Sequence, residues 1–436
     1  MSAFKAYDIR GIFGTEITED LAYKLGRAFV QLLQCKEVVI GHDMRTSSKI
    51  LATALIKGIT EQGANVIMIG LTDTPLFYFA CKNTPGIMIT ASHNPAEYNG
   101  FKLVNSEGMP LYEDNGMKTL QTLVEKNNFP KTEKKGEITK RSYVQDCLSF
   151  FLKQAKNIKP LRIIFDGGNG MGGLTHAVFY REIGCKVISL FPEPDGTFPH
   201  HEPNPMKEEN RKHAREAVLL HHADLAILTD GDADRIMFLD EKGNYVHPDH
   251  LIALLAEYFL EKKPGASFVY DLRCSRIVPE TIQQKKGKAY PCRVGNPFLK
   301  KMMKENNAIF GGEVSAHFLF KETNDHESPL LTALTVLKIM SEKNKKLSEL
   351  ILPFQKYAKI EEENFSVKDK EKVIKTLTEK YKQGNLSLED GIKVDFEDWW
   401  FSVRASNTEP LLRLNMEAKN KTILEEKKKE VLRFFE

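Results

Sequence analysis

The sequence predicts an α/β protein: three consecutive doubly wound α/β domains with mixed or parallel sheets, followed by a smaller C-terminal α+β domain. Three observations predict it. Short runs rich in Val, Ile and Phe recur, each ending in a loop of Gly, Asp, Asn or Ser. Stretches long enough for a helix separate them, and after about residue 350 the pattern changes to strands joined by turns. Apolar runs alternating with helical patterns mark parallel strands covered by helices on both faces. A chain of 436 residues, at roughly 150 per domain, has length for several cores.

The first domain is placed at residues 1–135. There VVIG (38–41) leads into HDMRTSS, NVIMIG (65–70) into LTDTP, and GIMIT (86–90) into ASHNP, with a helix expected from Lys49 to Gly63. The Lys-rich, polar stretch Lys126 to Lys140 is expected to be a linker. In the second domain, 141–240, LRIIF (161–165) leads into DGGNGMGG, KVISLF (186–191) into PEPDG, and LAILT (225–229) into DGDADR. A break at DEKGNYVHPDH opens the third, 241–348, where SFVY (267–270) leads into DLRCSR, KAYPC (288–292) into RVGNP, and AIF (308–310) into GGEVSAH. In the fourth, 352–436, antiparallel strands are expected in IKVDFEDWWFSVRASNTEPLLRLNMEAK, closed by an amphipathic helix. The irregular spacing excludes a fixed-period solenoid. In open parallel sheets ligands bind beyond the carboxyl ends of the strands, where these polar loops lie.

Hydrophobic residues make up 42% and charged residues 28%, too apolar for a disordered chain. Lys+Arg 62 against Asp+Glu 59 leaves +3, which gives no reason to expect a nucleic acid or an anionic membrane as partner. Six scattered cysteines form no CxxC pair or zinc spacing and suit reduced thiols in the cytoplasm. The opening MSAFKAYDIRGIFG lacks a signal-peptide core, and the apolar stretch Leu251 to Leu260 is short and carries Glu257, so no span is expected.

Four loops carry candidate chemistry. Asp230, Asp232 and Asp234 follow LAILT. At about 4 Å and an effective dielectric near 20, each like-charged pair costs about 4 kcal/mol, so converging carboxylates call for a cation. All-oxygen ligands select Mg²⁺, Mn²⁺ or Ca²⁺. A calcium loop of the EF-hand type fails because Arg235 stands at its sixth position, where the turn demands Gly. The competing reading is an acidic turn capping a helix. In Thr90–Pro95, Ser92 and His93 lack a GxSxG setting, which speaks against acyl-enzyme chemistry. Were this loop to face the aspartates, a phosphoserine would meet the cation far better than a hydroxyl. Arg404, Ser406, Asn407, Thr408 and Arg413 match a phosphate dianion, the alternative being a self-capped turn. Glu313 and Ser315 suit the vicinal hydroxyls of a sugar, although a Gly-Glu at a helix start is common. Tyr7, Arg10 and the pairs Asp43/Arg45 and Asp271/Arg273 are weaker signals, such Asp-x-Arg pairs usually being structural salt bridges.

Taken together, KAYDIRG, TASHNPAEYNGFK, FPEPDGTFPHHEPNP, DGDADR, GGEVSAH and RASNTEPLLR, in this order, resemble the α-D-phosphohexomutase superfamily, and most closely its bacterial phosphomannomutase/phosphoglucomutase branch. The resemblance covers essentially the whole chain. It implies four domains around a central cleft, a phosphorylated Ser92, one Mg²⁺ held by Ser92, Asp230, Asp232 and Asp234, and a hexose 1,6-bisphosphate as intermediate and activator. It implies catalytic roles for Ser92, His93, Lys102 and Arg235. Substrate contacts are implied for Tyr7, Arg10, Arg273, Asn296, Glu313, Ser315, His317, Arg404, Ser406, Asn407, Thr408 and Arg413. The partner implied is a small hexose phosphate, with the chain acting as a monomer and a dimer as the alternative.

Three departures stand out. Asn296 takes the place of a His common in relatives, Ala316 replaces a Gly, and DHESPLL differs from the usual acidic-Gly segment. None touches the serine or the aspartates. Within the family the alternative is a phosphoglucosamine mutase, disfavoured by GEVSAH and YNGFK. Outside it stand a metal-dependent sugar phosphatase, which would release inorganic phosphate, and an inactive sugar-phosphate-binding protein.

Overall fold

A computed structural model describes residues 3–405 and 411–435. The chain forms two compact units, Met1–Val246 with Ser315–Leu350, and His247–Val314 with Ile351–Glu436.

The first unit contains two mixed sheets. The order in one is Ile9–Ile12, Tyr98–Val104, Gly86–Ile89, Glu37–His42, Asn65–Leu71, Ile138–Lys140. Glu37–His42 runs parallel to Gly86–Ile89 and Asn65–Leu71, while Tyr98–Val104 folds back antiparallel on Gly86–Ile89. All four residues of Gly86–Ile89 are buried, which is why that run shows no alternation. Helices Glu19–Leu33 and Ser48–Glu61 cover one face. They approach so closely that a Cβ on Gly58 would lie 2.1 Å from the Tyr23 carbonyl oxygen, so only glycine fits there. The other sheet has the order Tyr245–Val246, Ile236–Leu239, Leu225–Thr229, Arg162–Asp166, Lys186–Leu190, its last three strands parallel and the first two antiparallel. The hairpin Phe318–Phe320 with His326–Glu327 and the buried helix Pro329–Lys343 complete the unit.

In the second unit Ser267–Asp271 pairs in parallel with Lys288–Cys292 and with Phe310–Gly312. Helices Pro248–Lys262, Ile277–Gln284 and Asn296–Glu305 belong to the same segment. Its other sheet is antiparallel: Ala358–Lys359, Leu411–Ala418, Trp399–Ala405, Ile392–Asp395 and Asn385–Ser387, with Glu363–Ser366 also on Leu411–Ala418. Leu377, Tyr381, Phe401, Leu414, Met416 and Val431 form its core, against helices Lys370–Lys380 and Lys421–Leu432.

Each of the nine apolar runs contributes to a strand, and the structure refines three local expectations. The polar stretch from Lys126 to Lys140 is not linker throughout, since Ile138–Lys140 adds a parallel edge strand beside Asn65–Leu71. Backbone hydrogen bonds from an existing edge recruit a three-residue segment whose side chains are all exposed and carry no apolar signal. The acidic turn caps no helix and instead closes the hairpin Leu225–Thr229/Ile236–Leu239. Helix Lys370–Lys380, capped by Asp369, stands among the strands of the last segment and packs Val373, Ile374 and Leu377 on their core. Among the described residues no helix is long and apolar enough to cross a membrane.

Candidate active site

The serine loop links Gly86–Ile89 to Tyr98–Val104, and its shape is imposed by Arg45. That buried guanidinium donates to four loop carbonyls: Ser92 at 2.8 Å, Asn94 at 2.6 Å, Pro95 at 2.6 Å and Tyr98 at 3.0 Å. Asp43 fixes Arg45 in turn, with 3.2 Å between Nε and Oδ2. Ser92 takes φ +51°, in the left-handed region that side chains with a Cβ rarely adopt, a cost tolerated where a side chain must be aimed.

The aimed hydroxyl meets the acidic turn. Ser92 Oγ donates to Asp230 Oδ2 at 2.7 Å and lies 3.2 Å from His93 Nδ1. The two loops touch through backbone: a Cβ on Gly231 would stand 2.4 Å from the Ser92 carbonyl oxygen. The segment FPEPDGTFPHHEPNP buttresses both, with Gly196 against the backbone of Arg45, the Phe198 ring 5.2 Å from its guanidinium, and Pro203 beside Gly231.

Asp230, Asp232 and Asp234 are all buried, and their ligand atoms lie within 4.8 Å of one another. Lys102 Nζ bridges Asp232 Oδ2 at 2.6 Å and Asp234 Oδ2 at 2.5 Å. Thr74 holds Asp232 twice, its hydroxyl at 2.6 Å from Oδ2 and its amide at 2.9 Å from the carbonyl oxygen. Arg235 donates its amide to Asp230 Oδ1 at 3.1 Å, and His317 Nε2 lies 3.3 Å from Asp234 Oδ1. Ser315 Oγ lies 2.9 Å from His317 Nδ1. Among the described residues Asp232 Oδ1 is buried without a hydrogen-bond partner.

Burial, then the charges of Asp234 and Asp232, push Asp230 up to about 7. Burial also opposes the charge on Asp234, but Lys102, His317 and Arg235 outweigh it and hold that carboxyl well below the usual range. For Lys102 burial is likewise outweighed, by Asp232 and Asp234, so it stays a firm ammonium. Burial, reinforced by Arg235 and Arg10, drives His93 well below the ordinary imidazole value and keeps it neutral. Three buried carboxylates, with Asp232 Oδ1 and Asp234 Oδ1 both lacking a hydrogen-bond partner among the described residues, fit a hard cation.

Arg10 reaches the serine loop through Asn94 Oδ1 at 2.8 Å and pairs with Asp8 at 2.8 Å, while Tyr7 is exposed on the same N-terminal segment. The second unit gathers a different group. Glu313 is buried and accepts from the Gly295 amide at 3.3 Å, one residue before Asn296 opens its helix. Arg273 grips Asp271 in a two-pronged pair, Nε at 3.2 Å and Nη2 at 2.7 Å, and Asp271 also accepts the Val314 amide at 3.0 Å. Arg404 and Arg413 stand opposite each other in the terminal hairpin. Ser406, Asn407 and Thr408 lie outside the described residues. Thr74 is a further residue of the site that sequence reasoning missed, and Arg45 was marked only as half of a weak Asp-x-Arg pair. LTDTP ends a strand as the other site loops do, and the Asp-x-Arg spacing of Asp43/Arg45 was visible, but neither reveals what the side chains grip.

Comparison with known proteins identifies the family. The four domains of the phosphoglucomutase/phosphomannomutase family match in order: alpha/beta/alpha domain I at 1–131, domain II at 141–243, domain III at 247–357 and the C-terminal domain at 362–434. A phosphomannomutase of Methanocaldococcus jannaschii is 40% identical over 99% of this chain and 97% of its own. One from Escherichia coli K12 is 37% identical over 96% and 95%. A crystal structure of a phosphoglucomutase/phosphomannomutase family protein from Burkholderia thailandensis superposes with a TM-score of 0.92 at 29% identity, covering 99% of this chain and 97% of that one. The chain therefore belongs to the phosphoglucomutase/phosphomannomutase family of isomerases.

Proposed function

We propose that this protein interconverts hexose 1-phosphates and hexose 6-phosphates of mannose, glucose or both, with Ser92 as the phosphoryl carrier. The observation that supports it best is the Ser92 hydroxyl lying against Asp230 beside the buried partners Asp232 and Asp234, on a loop strained and clamped for that purpose. Asp230, Asp232 and Asp234, with the oxygen on Ser92, would hold one Mg²⁺, which would neutralise charge on the transferring phosphoryl group.

In the reaction the bond between phosphorus and Ser92 Oγ breaks while one forms to the free sugar hydroxyl, giving a hexose 1,6-bisphosphate. The other phosphate then returns to Ser92, and free bisphosphate acts as activator by phosphorylating the serine. His93, whose Nδ1 lies 3.2 Å from Ser92 Oγ, would take the hydroxyl proton, and ammonium Lys102 would hold the charged groups in line. Arg235 adds positive charge beside Asp230. Glu313, Ser315, His317 and Asn296 would bind sugar hydroxyls, and Tyr7 and Arg10 the substrate's approach to the serine loop. Arg404 and Arg413, with Ser406, Asn407 and Thr408, would anchor the phosphate that is not reacting, supported by Arg273. The six free thiols suit a reducing, cytoplasmic setting.

A coupled assay on mannose, glucose and glucosamine 1-phosphates with bisphosphate present tests the proposal. Conversion of mannose or glucose 1-phosphate to the 6-phosphate is the expected result. Stoichiometric release of inorganic phosphate, or turnover of the glucosamine ester alone, overturns it.

A further inference from the structure

Opposed arginines on neighbouring antiparallel strands repel, and Arg404 and Arg413 are such a pair. The structure resolves the conflict with one carboxylate. Glu362, just before strand Glu363–Ser366, accepts from Arg404 Nη2 at 3.2 and 3.3 Å and from Arg413 Nη1 at 3.5 Å. Asn415 Nδ2 donates to it at 3.1 Å, and Arg273 Nη1 lies 3.5 Å away. Three guanidiniums from separate segments thus converge on a single acid. The neighbouring Lys359 Nζ donates to the Arg273 carbonyl at 2.8 Å, so the segment 359–362 holds Arg273 by backbone and side chain alike.

Burial works against the charge on Glu362, yet Arg273, Arg404, Asn415 and Arg413 hold it at about 2, so it is an anion throughout the working range. Its neighbour Glu363 does not duplicate it, since Glu363 pairs instead with Lys428. Glu362 leaves donors available: among the described residues Nε of both Arg404 and Arg413 is buried and bonds nothing. A guanidinium offers five N–H groups in a fixed fork, so it can be tied on one side while another side meets a phosphate.

We propose that Glu362 is the positioning residue of the phosphate anchor, drawing Arg273, Arg404 and Arg413 into one convergent cluster before a phosphate ester arrives. The inference rests on the proposed role of Arg404 and Arg413 in binding the non-reacting phosphate. Without the shared counter-charge the arginines separate, and each arriving ester must reassemble them. The loss falls on binding more than on transfer at Ser92.

Steady-state kinetics with glucose 1-phosphate, together with inhibition by inorganic phosphate, test this in the full-length enzyme. In Glu362→Gln, KM and the inhibition constant of phosphate are expected to rise together by about tenfold, the size of losing one charge-assisted contact, with kcat within about threefold. Glu362→Asp, which keeps the charge, should recover part of the loss and serves if the Gln variant folds poorly. Arg404→Ala and Arg413→Ala are the controls. If they raise KM while both Glu362 variants leave it unchanged or lower it, the anchor stands and the role of Glu362 is overturned. If neither arginine variant raises KM, the anchor reading itself fails and the inference with it.

Discussion

Ser92 and Asp230 lie 138 residues apart in the chain, and their side chains meet at 2.7 Å, the serine donating and the aspartate accepting. The contact joins a strained loop in one sheet to a hairpin turn in another.

Removing the hydroxyl should abolish the carrier without disturbing the scaffold, because Arg45 grips the loop by its carbonyls. Ser92→Ala is expected to lose activity by about three orders of magnitude or more, with circular dichroism and thermal midpoint close to wild type. Activity near wild type would end the phosphoserine proposal.

Arg45 itself is the residue whose loss should unfold that loop. Arg45→Lys keeps the charge but replaces a planar fork serving four carbonyls with a single ammonium. A destabilisation of about 3 kcal/mol, read from urea unfolding, is expected, since several buried acceptors lose their donor. A change below about 0.5 kcal/mol would show that the loop holds its shape by other means.

Thr74 should act through the acidic turn. Thr74→Val keeps the amide bond to the Asp232 carbonyl and removes only the 2.6 Å hydroxyl contact to its carboxylate. Magnesium titrations of enzyme stripped with EDTA should show weaker apparent affinity, about tenfold, as expected when a ligand loses its orienting partner. EDTA alone should silence the wild type and added Mg²⁺ restore it.

His176 supplies a pH dependence away from the reaction. It is buried, stacks on Phe165 at 5.8 Å, and lies 3.0 Å from the Tyr180 hydroxyl. Burial pushes its imidazole down to about 3. Below about pH 6.5 the unfolded chain binds a proton there that the native state refuses, so stability falls with decreasing pH through this window. Replacing His176 with Asn should flatten the slope of unfolding free energy between about pH 6.5 and 4, measured by urea titration at each pH. An unchanged slope would assign the acid sensitivity elsewhere.

Much of this was legible in the residues. The nine apolar runs reappear as strands, most plainly Gly86–Ile89 and Leu225–Thr229, which are wholly buried and therefore apolar throughout. The aspartate cluster was legible because three carboxylates within five residues repel one another unless a cation joins them. Ile138–Lys140 was not, since an edge strand held only by backbone bonds imposes no side-chain pattern.

By itself the sequence determined the fold class, the order of the nine apolar strands, and the residue types able to carry phosphate, sugar and cation. Local spacing and burial suffice for those. Tertiary structure alone decided that Arg45 shapes the serine loop, that Thr74 braces Asp232, and that Glu362 rather than its acidic neighbours gathers three arginines. Those partners are tens of residues or more from what they touch, and a charged side chain carries no local mark of the distant group that will neutralise it.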